Sequence, residues 1–269
     1  MNAQLIKINH LFTYPVKSTE ARCRKVTRVF QTGFENDRRV CVVDRNRNVM
    51  TGRAHPTLIK LQSEIDSQTL TITARDGEGY KFRLPRGVKP QTVKLFRNRV
   101  LGMPLTDEAN EYISDYLNGY FSFVHLGELF RPVLTKRGGL PGEHTGFADS
   151  APVHLINLKT LEYLNSRLAN PVSIHRFRPN IVIDGRTPFE EDDWSEIEIN
   201  GCRFRVQEHT QRCIFTTIDP ETTFRDTALQ PLATIAAIRG KKGMRPTFGI
   251  NLVPIKEGTI KVGDIISPK

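Results

Sequence analysis

Cysteine is scarce in this chain: four residues in 269, at Cys23, Cys41, Cys202 and Cys213, with no C-x-x-C pair among them. That spacing argues against a disulfide framework, a structural zinc site and a cysteine-ligated iron–sulfur cluster within this chain. Long apolar runs are missing too. None approaches the ~20 residues that a membrane-spanning helix needs, and the first residues lack the unbroken apolar centre of a signal peptide. The expected location is therefore cytoplasmic, with no membrane partner. Carboxylates are in deficit, 29 Asp and Glu against 39 Lys and Arg, leaving a formal charge of +10. An excess of this sign favours anionic partners. Yet there is no block of basic residues. Arg38, Arg39, Arg53, Arg176, Arg178 and Arg212 are dispersed near turns, which suits discrete phosphates better than a nucleic-acid face, so no stable nucleic-acid partner is expected. With 38% hydrophobic and 25% charged residues the chain has a globular composition, long enough for one large or two modest domains.

Short alternating segments between Gly, Pro and Asp signals fill the first half. Strands are expected over residues 5–11, 24–30, 40–43, 49–51, 58–65, 69–74, 80–84 and 91–95, with a turn at 32–34 and a hairpin loop at 44–48. Many short strands of this kind suggest a barrel or sandwich. Residues 105–117 change to 3.6-residue spacing, with Thr106 as N-cap, Asp107 and Glu108 in the first turn and Gly119 as stop, which predicts an amphipathic helix. After a strand at 121–126, residues 131–147 are rich in breakers. They read as a flexible loop whose Lys136 and Arg137 are available to close over an anion. The second half then reads as strand 151–156, helix 158–168, strand 181–183, a hairpin on Asn200-Gly201, helix 232–239, and strands at 247–252 and 258–264. The fold class is mainly β with α (α+β) and few peripheral helices, divided into residues 1–122 and 123–269.

Two stretches carry chemistry. Tyr14-Pro15-Val16-Lys17-Ser18 breaks a strand at Pro15 and offers an ammonium and a hydroxyl on a loop, a natural phosphate contact. Residues 207–220 hold Cys213 beside Arg212, among Thr210, Thr216 and Thr217, just before the turn signal Asp219-Pro220. Cys41, in the apolar run 40–43, reads instead as a buried inert thiol, and Cys23 and Cys202 as structural. Three roles are open to Cys213: thiolate nucleophile, metal ligand, or packed side chain. A nucleophile wants a histidine. His209 is four residues away on the same strand or bend and poorly placed to pair, and the sequence does not position His55, His144, His154 or His175. Metal ligation by one thiolate needs the remaining ligands from a cofactor. Molybdenum on a pterin dithiolene fits, because soft sulfur ligands dominate there and the pterin phosphate needs a basic clamp.

Further motifs bear on that choice: Thr32-Gly33-Phe34 with Asp37-Arg38-Arg39; Thr51-Gly52-Arg53-Ala54-His55-Pro56; residues 149–157; Arg176-Phe177-Arg178-Pro179-Asn180; Arg212-Cys213 with residues 216–220; and residues 258–264. With Tyr14 to Ser18 they run nearly end to end. In that order they resemble a MOSC-domain protein with its N-terminal β-barrel partner domain, the family of the mitochondrial amidoxime-reducing component and of bacterial relatives that detoxify N-hydroxylated bases. The resemblance implies a β-barrel MOSC domain after an N-terminal β-barrel-like domain, and a molybdenum cofactor (Mo-molybdopterin). By it, Cys213 is the protein thiolate on molybdenum. Lys17, Ser18, Arg38, Arg178 and Ser150 contact the phosphate and pterin, while Asn180, Arg212 and Thr216 shape the pocket. The implied activity is reduction of small N-hydroxylated compounds such as hydroxylaminopurines, amidoximes and hydroxamates. Some relatives carry a [2Fe–2S] domain with cysteines spaced C-x4-C-x2-C. These are not in this sequence, so either a separate flavoprotein or iron–sulfur protein is the electron donor or the sequence is part of a longer protein. Glu20 departs from the family pattern, which favours a small residue there. Two rival readings are a sulfur carrier with a persulfide on Cys213, and a basic β-barrel that binds nucleic acid.

Overall fold

Strand pairing over long sequence distances builds the framework. The computed structural model describes residues 5–74, 77–240 and 244–269. The amino-terminal strand expected over residues 5–11 runs over Lys7–Thr13. The largest sheet has eight strands in the order Arg22–Arg24, Lys7–Thr13, Ile181–Asp184, Val153–Asn157, Thr247–Lys256, Cys202–Gln211, Glu196–Ile199 and Ile266–Pro268. All neighbours are antiparallel except Val153–Asn157 with Ile181–Asp184, which run parallel. Every residue of Val153–Asn157 is buried because both faces are covered. Val153 and Leu155 point into a core with Ile8, Leu11, Ile197, Phe204 and Leu252. Ile156 points the other way, under Leu161 and Leu164 of helix Leu158–Asn165 and Ile235 of helix Leu232–Arg239.

A second group of strands comes from the first half. Val40–Asp44, Phe121–His125, Asn98–Pro104 and Gln91–Leu95 form a four-stranded sheet, and Gln62–Asp66, Thr69–Thr73 and Gly79–Arg83 form a meander. Helix Asp107–Leu117 lays Ala109 and Ile113 on the shared core with Leu58, Phe82 and Phe123. Thr106 caps it as expected, its hydroxyl accepting from Ala109 N at 3.4 Å, a contribution of about 1 kcal/mol. The helix stops at Asn118, which takes the left-handed conformation (φ 51°).

Several boundaries differ from the sequence reading. Residues 58–65 are not one strand: Pro56 starts a 3-10 turn, Pro56–Lys60, and the strand begins at Gln62. Residues 32–34 are not only a turn, since Gly33–Phe34 pairs with Val26–Phe30. Residues 49–51 contribute only the single bridge Val43 to Val49. Asn98–Pro104 and Ile266–Pro268 were not anticipated, because Gly102, Pro104 and Pro268 break their apolar pattern. The 131–147 segment is tied down. Arg131–Pro132 pairs with His144–Thr145, and Arg205 Nη2 donates to both Glu143 carboxylate oxygens at 2.8 and 2.7 Å. Phe121–His125 straddles residue 122, and Lys7–Thr13 runs in the sheet built mostly by the second half. Among the described residues no helix is long and apolar enough to cross a membrane.

Candidate functional site: a basic cavity around Cys213

Strand Cys202–Gln211 ends where Arg212 N donates to Pro246 O at 2.8 Å, and the chain turns through Cys213 into the 3-10 turn Ile214–Thr217. Thr216 closes this turn, donating to Cys213 O from its backbone N at 3.1 Å and from Oγ1 at 3.0 Å. Arg176 staples the far side, with Nη1 on Thr217 O at 3.0 Å and Nη2 on Asp219 Oδ2 at 2.8 Å. Two motifs far apart in the chain thereby fix the backbone on which the half-buried Cys213 thiol sits. Gly52 allows the close approach of the 51–56 loop: a Cβ there would lie 2.3 Å from the Phe215 ring.

The phosphate-type residues converge opposite this turn. Ser18, Arg38 and Arg178 all adopt positive φ, at 72°, 47° and 56°. Left-handed backbone at a non-glycine residue costs about 1–2 kcal/mol, and such strain concentrates where a site demands a particular direction. Tyr14 organises the two arginines. Its ring lies 4.4 Å from the Arg38 guanidinium carbon and 4.1 Å from that of Arg178, and its hydroxyl donates to Pro179 O at 3.0 Å. Burial lifts the Tyr14 hydroxyl to about 12, so it stays protonated. Asp37 pairs with Arg38 and accepts from Tyr14 N at 2.7 Å. Asn180 is the keystone: Oδ1 accepts from Arg38 Nη1 at 2.8 Å and from His154 N at 3.2 Å, and Nδ2 donates to Phe12 O at 3.1 Å.

Lys17 is buried, with Nζ donating to Phe147 O at 2.7 Å and paired with Asp149. Burial lowers the ammonium from its usual value and the Asp149 charge opposes that. For the half-exposed Asp149, burial acts upward, but Lys17 and Arg53 overcome it and bring the carboxyl down to about 2. Arg131 holds this corner by donating from Nε to Gly146 O at 3.1 Å and from Nη2 to Ala148 O. Burial also draws Arg178 and Arg212 down to about 10, leaving both cationic at neutral pH.

These groups enclose a cavity of about 560 Å³. Every residue expected at the site lines it: Cys213, Lys17, Ser18, Arg38, Ser150, Arg178, Asn180, Arg212 and Thr216. Arg53, Arg97, Lys136, Arg137 and Arg245 add positive charge, against the carboxylates of Asp149 and Glu208. Arg178 Nη2 and Arg212 Nε are buried without a hydrogen-bond partner among the described residues. Buried donors without a partner beside a cavity are positions where an added acceptor has most to satisfy.

Comparison with known families covers the same ground. Residues 5–119 match the MOSC N-terminal beta barrel domain, and residues 142–267 match the MOSC domain. This chain belongs to the MOSC family. Human mitochondrial amidoxime-reducing component 1 is 30% identical over 284 residues, covering 97% of this chain and 82% of that protein. Mitochondrial amidoxime reducing component 2 of Rattus norvegicus is 28% identical with the same coverage, and component 1 of Xenopus laevis is 28% identical, covering 96% of this chain and 80% of that protein.

In this MOSC protein four of the five histidines considered for Cys213 bond or pack elsewhere. His209 Nε2 bonds to Asp192 O at 3.0 Å, His144 Nδ1 to Gly142 O at 2.8 Å, and His55 packs edge-on against Phe121. His175 packs against Phe12. His154 does line the cavity, but its Nε2 faces Arg212 Nη1 at 3.4 Å, and burial followed by the arginine charges pushes its pKa well below the usual value. Phe96, Arg97, Asn98, Glu208 and Asn251 are wall residues to which the sequence reading gave no role. A lone acid in the 202–211 strand, otherwise marked by Arg203 and Arg205, was a usable signal for Glu208. The hairpin corner at Phe96, with φ 55°, offered none.

Proposed function

We propose that this MOSC protein is a molybdenum-cofactor oxidoreductase that reduces N-hydroxylated compounds. One observation carries the reading: the Cys213 thiol shares a donor-rich cavity with a strained, pre-built cradle for a phosphate. The residues fit such a group. Lys17, Ser18, Arg38 and Arg178 present cationic or hydroxyl donors to its phosphate, Ser150 adds a hydroxyl, and the unpaired Arg178 Nη2 and Arg212 Nε supply donors that otherwise cost buried desolvation. Cys213 offers the soft sulfur ligand and Thr216 fixes its backbone. When bound, the cofactor supplies a two-electron couple able to take up oxygen. The overall conversion is R–NH–OH + 2 e⁻ + 2 H⁺ → R–NH₂ + H₂O, with electrons from a separate flavoprotein or iron–sulfur protein. This chain's residues hold the cofactor, orient the small substrate and keep positive potential around it. The amidoxime-reducing names of the relatives support the substrate class.

The test is molybdenum and pterin content of the protein from a cofactor-making host, alongside Cys213→Ser. Near-stoichiometric molybdenum in the wild type and its loss in the variant are expected. Full molybdenum with full activity in the variant overturns the reading. A persulfide on Cys213 with no metal in either protein points to sulfur carriage instead.

A further inference from the structure

We propose that Glu208 is the acceptor for an NH₂-bearing edge, of the aminopyrimidine or amidine type, on the molecule that fills this cavity; this rests on the functional reading above. The wall is lined overwhelmingly by donors, so a ligand end that itself donates needs one of the few acceptors. Of the two carboxylates among the described lining residues, Asp149 has a cation on each oxygen, Lys17 on Oδ1 and Arg53 on Oδ2 at 3.0 Å. Glu208 is different. Its Oε1 accepts from Ser150 Oγ at 2.7 Å and from Asn251 Nδ2 at 3.3 Å, which fixes the carboxylate in place. Among the described residues its Oε2 has only Arg137 Nη1, at 3.4 Å, well outside the 2.7–2.9 Å of a strong charge-assisted bond. A carboxylate oxygen has two lone pairs, so Oε2 keeps acceptor capacity.

Position supports the assignment. Glu208 lies on the strand that delivers Cys213, five residues before it, and the side chains of both reach the cavity. At ~3.3 Å per residue the two Cα atoms are at most about 17 Å apart. Asn251 and Thr210, bonded to each other at 2.9 Å, stand beside Glu208 with neutral polar atoms that complete recognition of a flat heterocycle or amidine. Two sources present this chemistry: the aminopyrimidinone edge of a pterin, and an amidoxime or aminopurine substrate.

Glu208→Gln separates them while keeping the shape and one acceptor oxygen. Pterin content, read as fluorescence of the oxidised pterin, and molybdenum are measured after dialysis, and kcat/KM is measured for benzamidoxime and for benzhydroxamic acid, which lacks the amidine edge. About tenfold faster pterin loss assigns Glu208 to the cofactor. Unchanged pterin with benzamidoxime falling about tenfold more than benzhydroxamic acid assigns it to the substrate. Pterin retention and the substrate ratio both unchanged overturn the proposal, while molybdenum loss in Cys213→Ser would still uphold the functional reading. Should Glu208→Gln not fold, Arg137→Ala tests the same oxygen with opposite sign: freeing Oε2 is expected to raise pterin retention or the benzamidoxime preference about two- to fivefold, and no change in either overturns the proposal.

Discussion

The meander Gln62–Asp66, Thr69–Thr73, Gly79–Arg83 and the wall of the basic cavity are stabilised by opposite means. In the meander, partners are near in sequence, as with Ile65 opposite Leu70 and Leu70 opposite Phe82. Its buried side chains are Ser63, Ile65, Leu70, Ile72 and Phe82, alternating with half-buried ones in the first two strands and flanked by exposed ones in the third. In the cavity wall, partners are 132 residues apart for Lys17 and Asp149, 142 for Arg38 and Asn180, and 159 for Arg178 and Thr19. Its buried residues include Lys17, Ser18, Asn180 and Arg212. Apolar burial is non-directional and tolerates small shifts. A buried donor network must meet each partner at bonding distance or lose its desolvation cost in full. Stability is therefore local and robust in the meander, whereas the cavity wall carries desolvation and strain that a bound anion would relieve.

That contrast can be broken in graded ways. Asn180→Ala, which strips partners from Arg38, His154 N and Phe12 O, is expected to cost about 3–5 kcal/mol in urea unfolding and to lower molybdenum per folded molecule. Ile72→Ala is expected to cost about 2–4 kcal/mol by cavity formation, with molybdenum per folded molecule unchanged. A proportional loss of metal in that variant would show that the two regions are not independent. Gly52→Ala drives a methyl into the Phe215 ring and is expected to cost about 1–3 kcal/mol, with metal affinity falling because the ring, two residues past Cys213, is displaced.

Asp149→Asn has the smallest effect on stability, below about 1 kcal/mol, because the carboxylate is half-exposed and screened. Its pH dependence is the sharper signature. The folded-state value near 2 lies below the ordinary 3.8, so Asp149 stabilises the fold above about pH 4 and that contribution disappears as pH falls through about 2. The wild type's advantage over the variant, measured by thermal unfolding across pH, is expected to narrow over that window. An advantage that stays constant down to pH 2 would mean the pair with Lys17 is not formed.

Much of this molecule was legible in one dimension, and particular residues show where legibility ended. The helix at Asp107–Leu117 and its Thr106 cap follow from spacing and cap chemistry that act within one turn. The Asn200-Gly201 hairpin follows from a turn that two residues determine. The strand Asn98–Pro104 escaped because its stability comes from Phe121–His125 and Gln91–Leu95 on its flanks, not from its own pattern. Lys17, Arg38, Arg178 and Cys213 stood out as motifs, but nothing local says that they face one cavity.

By itself the sequence determined the strand-rich class, the placement of Cys213 beside Arg212 among threonines, and the surplus of cations, since each depends on residue type and short-range spacing. Only the tertiary structure decided which cations are used. The eight-stranded sheet brings the first strand of the chain between Arg22–Arg24 and Ile181–Asp184, and so sets the 14–18 and 176–180 loops side by side. It also decided that Asp149 is neutralised by Lys17 and Arg53 while Glu208 retains a lightly engaged oxygen. Charge can be counted along a chain, but its pairing depends on distances that only folding sets.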